Sequence, residues 1–164
     1  MKKLAVYAMT EKGYAVVRHL ADEHPGLIVK VISGKDPAVL NDYYGEIHEL
    51  CAERQIEFYD RAEKFSVEAP YSLAFSWRWI IRDSTSKVVV FHDSLLPRYR
   101  GFNPLVTALL KGDKEVGVTA LFGEEKYDTG MMSGHFCKYA CRHKLRLVRS
   151  CMVLPIVNTK NRQK

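Results

Sequence analysis

The order in which apolar runs and helical spacing alternate constrains this chain more than any single residue does. Lys3–Met9 holds a compact apolar run (LAVYAM) and reads as a buried strand. Glu11–His24 has apolar residues at Tyr14, Val17 and Leu20–Ala21, which is helical spacing, and stops at Pro25-Gly26. Leu27–Ser33 (LIVKVIS) is a second strand, closed by Gly34. Two strands joined through a helix and so short a turn predict a parallel pair with a right-handed crossover. The alternation continues with a helix over Asn41–Arg54 and strands over Ile56–Tyr59, Tyr71–Ser76 and Lys87–Phe91. A helix over Asn103–Lys111 and a strand over Val116–Phe122 follow. Asn103 is the expected N-cap of that helix, Pro104 stands in its first turn, and Gly112 ends it. The prediction is an α/β fold, Rossmann-like and doubly wound around a mostly parallel sheet.

In such sheets ligands bind beyond the carboxyl ends of the strands. That expectation puts the loops after Met9, Ser76 and Phe91 on one functional edge. The first of them, Met9–Gly13, lacks the GxGxxG pattern, so dinucleotide binding is disfavoured.

Charge divides the chain where the alternation stops. Residues 131–164 hold eight of the 25 Lys and Arg and none of the 19 Asp and Glu. The body before them is therefore near neutral. Two regions are expected: an α/β domain over 1–130, and a basic tail over 131–164 that carries three of the four cysteines. A basic tail can bind nucleic acid without sequence preference, but a solvated end explains the same composition, and nucleic acid is the disfavoured partner. His135, Cys137, Cys141, His143 and Cys151 are spaced too irregularly for a zinc site, so no metal is predicted. No apolar run approaches the roughly 18 residues that cross a bilayer. The N-terminal run is broken by Glu11, Lys12 and Gly13 before a cleavage site appears, so a cytoplasmic protein with free thiols is expected.

The chemistry-bearing residues cluster after the strand KVVVF. His92 opens the string His92-Asp93-Ser94-Leu95-Leu96-Pro97-Arg98-Tyr99-Arg100-Gly101. An imidazole at the end of a central strand can donate to a developing oxyanion or pass a proton near neutral pH, although a lone histidine is more often structural. Ser94 carries the one hydroxyl of the SLLP segment, and Pro97 makes that segment a rigid turn. After the strand VGVTALF comes Tyr127-Asp128-Thr129-Gly130. Taken alone this is a turn; as an acid at a strand end, Asp128 can orient His92 or accept a proton.

Read together, the string from Phe91 to Gly130 resembles the folate-dependent formyltransferase family, which includes glycinamide ribonucleotide, methionyl-tRNA and amino-sugar N-formyltransferases. The resemblance rests on His92, Ser94–Pro97, Tyr99–Gly101, Gly117–Thr119 and Asp128–Gly130, in order and at matching separations. It implies a formyltransferase fold with altered or missing C-terminal elements. It implies 10-formyltetrahydrofolate as formyl donor and a small amine as acceptor. His92 and Asp128 then assist transfer through a tetrahedral intermediate, with Ser94 as a further catalytic candidate. Trp77, Arg78, Trp79, Ile80 and Tyr127 are the implied donor-binding residues, and the two indoles suit a flat heterocycle.

Two departures from the family pattern stand out. Val90 occupies the position, two before His92, where the family carries an asparagine that donates to the oxyanion. Losing one such donor typically costs about 10²–10³ in kcat. After Gly130 the family's strand and closing helix give way to the basic tail, which reads as a truncated or frame-shifted end. An incomplete sheet exposes an edge and so favours self-association, giving a homo-oligomer as the expected assembly. Two other readings stay open: a catalytically impaired folate- or ligand-binding relic of the same fold, and a basic-tail nucleic-acid interaction protein. By elimination an amino sugar is the favoured acceptor. The Met9–Gly13 loop lacks a phosphate-binding Gly/Ser/Asn pattern, and the chain has no room for the further domain of the methionyl-tRNA enzymes.

Overall fold

Burial on both faces is what the first two strands require. In β1 (Leu4–Ala8) and β2 (Ile28–Ser33) all but Leu4 and Val29 are buried, the mark of a parallel sheet covered on either side. The computed structural model of the chain describes residues 3–82, 85–123 and 131–140, with 132–140 as backbone. It divides into two units, Met1–Val90 and Phe91–Lys164.

In the first unit α1 (Thr10–Glu23) links β1 to β2, and α2 (Tyr44–Glu53) links β2 to β3 (Glu57–Asp60). The chain then returns past β1 to β4 (Tyr71–Phe75). The order is β3-β2-β1-β4, and every pairing is parallel. Chain direction across the sheet therefore reverses between β1 and β4, which is the switch point of a doubly wound fold. Val16, Val17, Leu20 and Ala21 of α1 are buried. Gly13 lets this helix approach the strand, since a Cβ there would lie 3.0 Å from that of Ala8. The opposite face carries Ala5, Tyr7, Ile32 and Ala74, packed with Val67 and Ala69. Among the described residues no helix lies between β3 and β4. The connection Arg61–Pro70, which has neither helix nor strand, contributes Val67 and Ala69 to that cluster.

The strand β5 (Lys87–His92) runs across the boundary between units. The second unit holds α3 (Pro104–Leu110), β6 (Glu115–Phe122) and β7 (Met132–Ala140), with β6 and β7 antiparallel. Ala108 of α3 and Val116 of β6 form its small core with Tyr99 and Leu105.

The sequence-predicted elements are present, with three differences. The helix expected from Asn41 starts at Tyr44. Asn41 and Asp42 each accept the backbone N–H two residues on, and such turns compete with helix. Asn103 stands before α3, but in the left-handed conformation (φ 51°) and with no side-chain bond to the helix, so it is not the expected capping residue. The strand β7 was not anticipated.

Candidate functional site

At the carboxyl edge of the first unit, parallel pairing brings the loops after β1 and β4 side by side: Ala8 pairs with Phe75, and Met9 N–H donates to Phe75 O (3.3 Å). The chain leaves β4 at Ser76 in a left-handed conformation (φ 53°), strained for a residue with a Cβ. From there Trp77 and Trp79 meet edge to face (centroids 5.0 Å apart), and Trp77 also meets Tyr7 (5.2 Å). Arg78, between the two indoles, is ion-paired with Asp36 from the loop after β2. Asp36 is 7% exposed and also accepts from Ala38 N–H (3.0 Å). The Arg78 guanidinium, helped by the Ala38 amide, holds its carboxyl below the usual carboxylate range. Arg61, the first residue after β3, lies over the Trp79 ring (4.2 Å). Gly34 leaves it room, since a Cβ there would meet Arg61 Cδ at 2.5 Å.

These residues border a cavity of about 490 Å³, within the range of small-molecule sites. Tyr7 and Ile32 form its floor, and Phe65, Val67, Trp77, Trp79 and Ile81 its walls. Trp77 Nε1 is buried and has no hydrogen-bond partner among the described residues. Ile80 also lines the cavity and is 49% exposed.

In the second unit, His92 ends β5 and is 8% exposed. Its Nε2 lies 2.8 Å from Tyr99 O, so that nitrogen carries a proton donated to the carbonyl. The segment between them is held by Thr119, fully buried on β6. The Thr119 hydroxyl donates to Ser94 O (2.7 Å) and accepts from Leu96 N–H (3.1 Å). The Ser94 hydroxyl donates to Arg98 O (2.7 Å). Ser94 is thus engaged inside the turn, and 3% exposed. The Leu96–Pro97 peptide is cis.

Sequence reasoning placed His92, Ser94, Trp77, Arg78, Trp79 and Ile80 at such sites. The structure joins Trp77, Trp79 and Ile80 around one cavity, and puts His92 and Ser94 in one turn. Tyr127 and Asp128 lie outside the described residues. Three positioning residues were missed: Asp36, Arg61 and Thr119. Asp36 and Arg61 carry no signal in sequence, because their partners are distant in the chain. Thr119 lies within the motif that carries the resemblance, but no bonding role can be read from its letter. Among the described residues no cluster of His, Cys, Asp and Glu could hold a metal. None of the described helices is long and apolar enough to cross a membrane.

The model of the formyl transferase family matches residues 15–135. The chain belongs to that family. Among its curated relatives, the methionyl-tRNA formyltransferase of Campylobacter curvus is 49% identical over 53 residues, which is 32% of this chain and 17% of that protein. The chain therefore matches under a fifth of that relative's length. Among solved structures, glycinamide ribonucleotide transformylase 1 from Symbiobacterium toebii superposes with a TM-score of 0.70 at 17% identity, covering 93% of this chain and 81% of that one. WlaRD, a sugar 3N-formyl transferase solved in the presence of dTDP and 5-N-formyl-THF, superposes with a TM-score of 0.63 at 19% identity, covering 87% and 53%. At such identities the likeness is one of fold. It bears out the formyltransferase fold expected from the sequence.

Proposed function

We propose that this formyl transferase family member moves a formyl group from 10-formyltetrahydrofolate to the amine of a small acceptor, with an amino sugar as first choice. The observation that carries the reading is a cavity lined by Trp77 and Trp79, in the segment where the family resemblance puts the donor's pterin. The donor supplies the formyl carbon. Trp77 and Trp79 give its ring two apolar faces to lie against, and the Ser76–Ile81 backbone can read its amide edge. His92 is the proposed donor to the formyl oxygen as negative charge develops there. Asp128 is the proposed acceptor of the amine proton.

A small acceptor is favoured by the first loop. Met9 alone separates β1 from α1, and Thr10 N–H is bonded to Asp42 O (2.8 Å), which leaves little backbone to cradle a phosphate. The test is formyl transfer to a panel of amines, including a nucleotide-linked amino sugar, glycinamide ribonucleotide and methionyl-tRNA, with formylated product read by mass spectrometry. Product that disappears in His92→Ala supports the reading. No product with any amine sinks it.

Val90 favours a second reading. Its side chain packs with the apolar cluster of Ala5, Tyr7 and Ile32, and it has no group to offer an oxyanion. Folate binding seen by calorimetry, without turnover, would identify a binding relic.

A further inference from the structure

The carbonyl that fixes His92 belongs to a residue in an unfavourable backbone conformation. Tyr99, whose O lies 2.8 Å from His92 Nε2, has a φ of 57°, in the left-handed region that a residue with a Cβ rarely adopts. Such a conformation persists only where its surroundings hold it.

The Tyr99 side chain is held on several sides. Its ring packs against Ala108 and Val116 in the small core of the second unit. The Arg98 guanidinium lies 5.3 Å and the Lys111 ammonium 5.2 Å from the ring centroid. The hydroxyl donates to the Asp113 carboxylate, which pushes the phenol above its ordinary value, and it accepts from Arg98 Nη2 (3.4 Å).

These contacts meet at Asp113. Besides accepting from Tyr99, its carboxylate pairs with Arg98 Nη2 (3.1 Å), so it neutralises the guanidinium that lies over the ring. The Asp113 side chain is 14% exposed against 62% for Arg98, so the acid is the fixed member of the pair. Its backbone N–H donates to Ala108 O (3.0 Å) in the turn after α3, which sets where the carboxylate stands. A pair with one partner so exposed contributes little to stability. A purely structural Asp113 would therefore be nearly dispensable, whereas an Asp113 that fixes Tyr99 is felt at His92.

We propose that Asp113 is a positioning residue for His92, acting through Tyr99. The carboxylate fixes the Tyr99 side chain, the side chain holds the strained backbone, and the carbonyl sets the plane of the imidazole and keeps its proton on Nε2. The consequence for turnover rests on the reading of His92 given above; the link between the residues does not.

The test uses the full chain labelled with heavy nitrogen. Imidazole nitrogen spectra are recorded above the ordinary histidine range, where the ring is neutral, and the His92 signals are identified by their loss in His92→Gln. Formyl transfer from 10-formyltetrahydrofolate to the amine panel is measured on the same variants. Wild type should show a single His92 tautomer with Nε2 protonated. Asp113→Ala should move the signals toward a tautomer mixture and lower kcat about tenfold, with KM for the donor within about twofold. Asp113→Asn and Tyr99→Phe each keep part of the network and should fall between; Asp113→Asn carries the same test should the alanine variant fail to fold. Val17→Ala, a buried change in α1, controls for lost stability and should leave the His92 signals and kcat in place. The proposal is overturned if the His92 signals in the Asp113 variants match wild type, or if Val17→Ala displaces them as far. If the signals move as expected while kcat holds, or while wild type forms no product at all, the link from Asp113 to His92 stands and the assignment of His92 to the chemistry falls.

Discussion

Asp36 and Arg78, 42 residues apart in the chain, form an ion pair that ties the loop after β2 to the loop after β4. The same pair holds the residue between the two indoles. Asp36 is anchored in turn by its own backbone, whose N–H donates to Asp42 Oδ2 (2.9 Å), while Asp42 O accepts from Thr10 N–H (2.8 Å). Loops from three strands are thus joined through Asp36 and Asp42. Because the pair lowers the folded-state value of the Asp36 carboxyl, its contribution to stability is complete above the ordinary carboxylate range and is lost as pH falls through the depressed value. Asp36→Asn should therefore melt below wild type at neutral pH, with the two curves converging in strong acid. Thermal melts followed by tryptophan emission check this, and a gap that persists unchanged into acid would rule the ion pair out as its cause.

Thr119 performs the corresponding task in the second unit. Its hydroxyl bonds Ser94 O and Leu96 N–H at once, in a fully buried position. Thr119→Val keeps the shape and removes both bonds. The expected loss is about 2–4 kcal/mol, two buried hydrogen bonds at roughly 1–2 each, read from urea unfolding. Thr119→Ser keeps the hydroxyl and should recover most of it. A Thr119→Ser loss as large as that of Thr119→Val would mean that the hydroxyl bonds alone do not account for the stability of this position.

Cys51 lies on the buried side of α2, and burial pushes its thiol up to about 12. A thiol raised in the folded state contributes stability that is full below its ordinary value and is lost as pH rises through the folded one. The protein should accordingly lose stability in alkali above about pH 9, the ordinary thiol region. At pH 8 Cys51 should stay unlabelled by an aromatic disulfide reagent until the chain is unfolded. Peptide mapping of the labelled protein locates the modified cysteines, and rapid native labelling of Cys51 would contradict its burial.

Strands β1, β2, β4, β5 and β6 were legible because each holds a short apolar run, and burial on both faces of β1, β2 and β6 needs little more than that; β3 (EFYD) is half-exposed and was legible only from Phe58 and Tyr59 after the helix before it. The strand β7 was not legible. Its pairing with β6 shifts register between Gly117 and Val118 and again between Ala120 and Leu121. Two such irregularities erase the period-two pattern by which a strand is recognised. The start of α2 was misplaced because Asn41 and Asp42 turn the backbone with their own side chains. At the candidate site, Trp77 and Trp79 were readable as flat, apolar surfaces. Their arrangement was not, since it depends on Asp36 and Arg61, which reach them from other loops. His92 was readable from its motif, but the direction of its Nε2 toward Tyr99 O is a property of the folded turn.

Val90→Asn sets packing against chemistry. Val90 is half-buried against the Ala5, Tyr7 and Ile32 cluster, so an amide there should cost about 1–3 kcal/mol in stability, the penalty for a polar group in an apolar setting. The same change restores the donor that the family resemblance calls for two residues before His92 on β5. If its absence limits turnover, kcat should rise by up to about 10²-fold while KM for the folate donor holds, because an oxyanion contact acts on the transition state and not on the bound donor. Urea unfolding and a kcat/KM split measure the two effects separately. A stability loss with kcat unchanged would mean that the new amide stays within the apolar cluster, and the missing donor would then have to be sought elsewhere in the turn that follows His92.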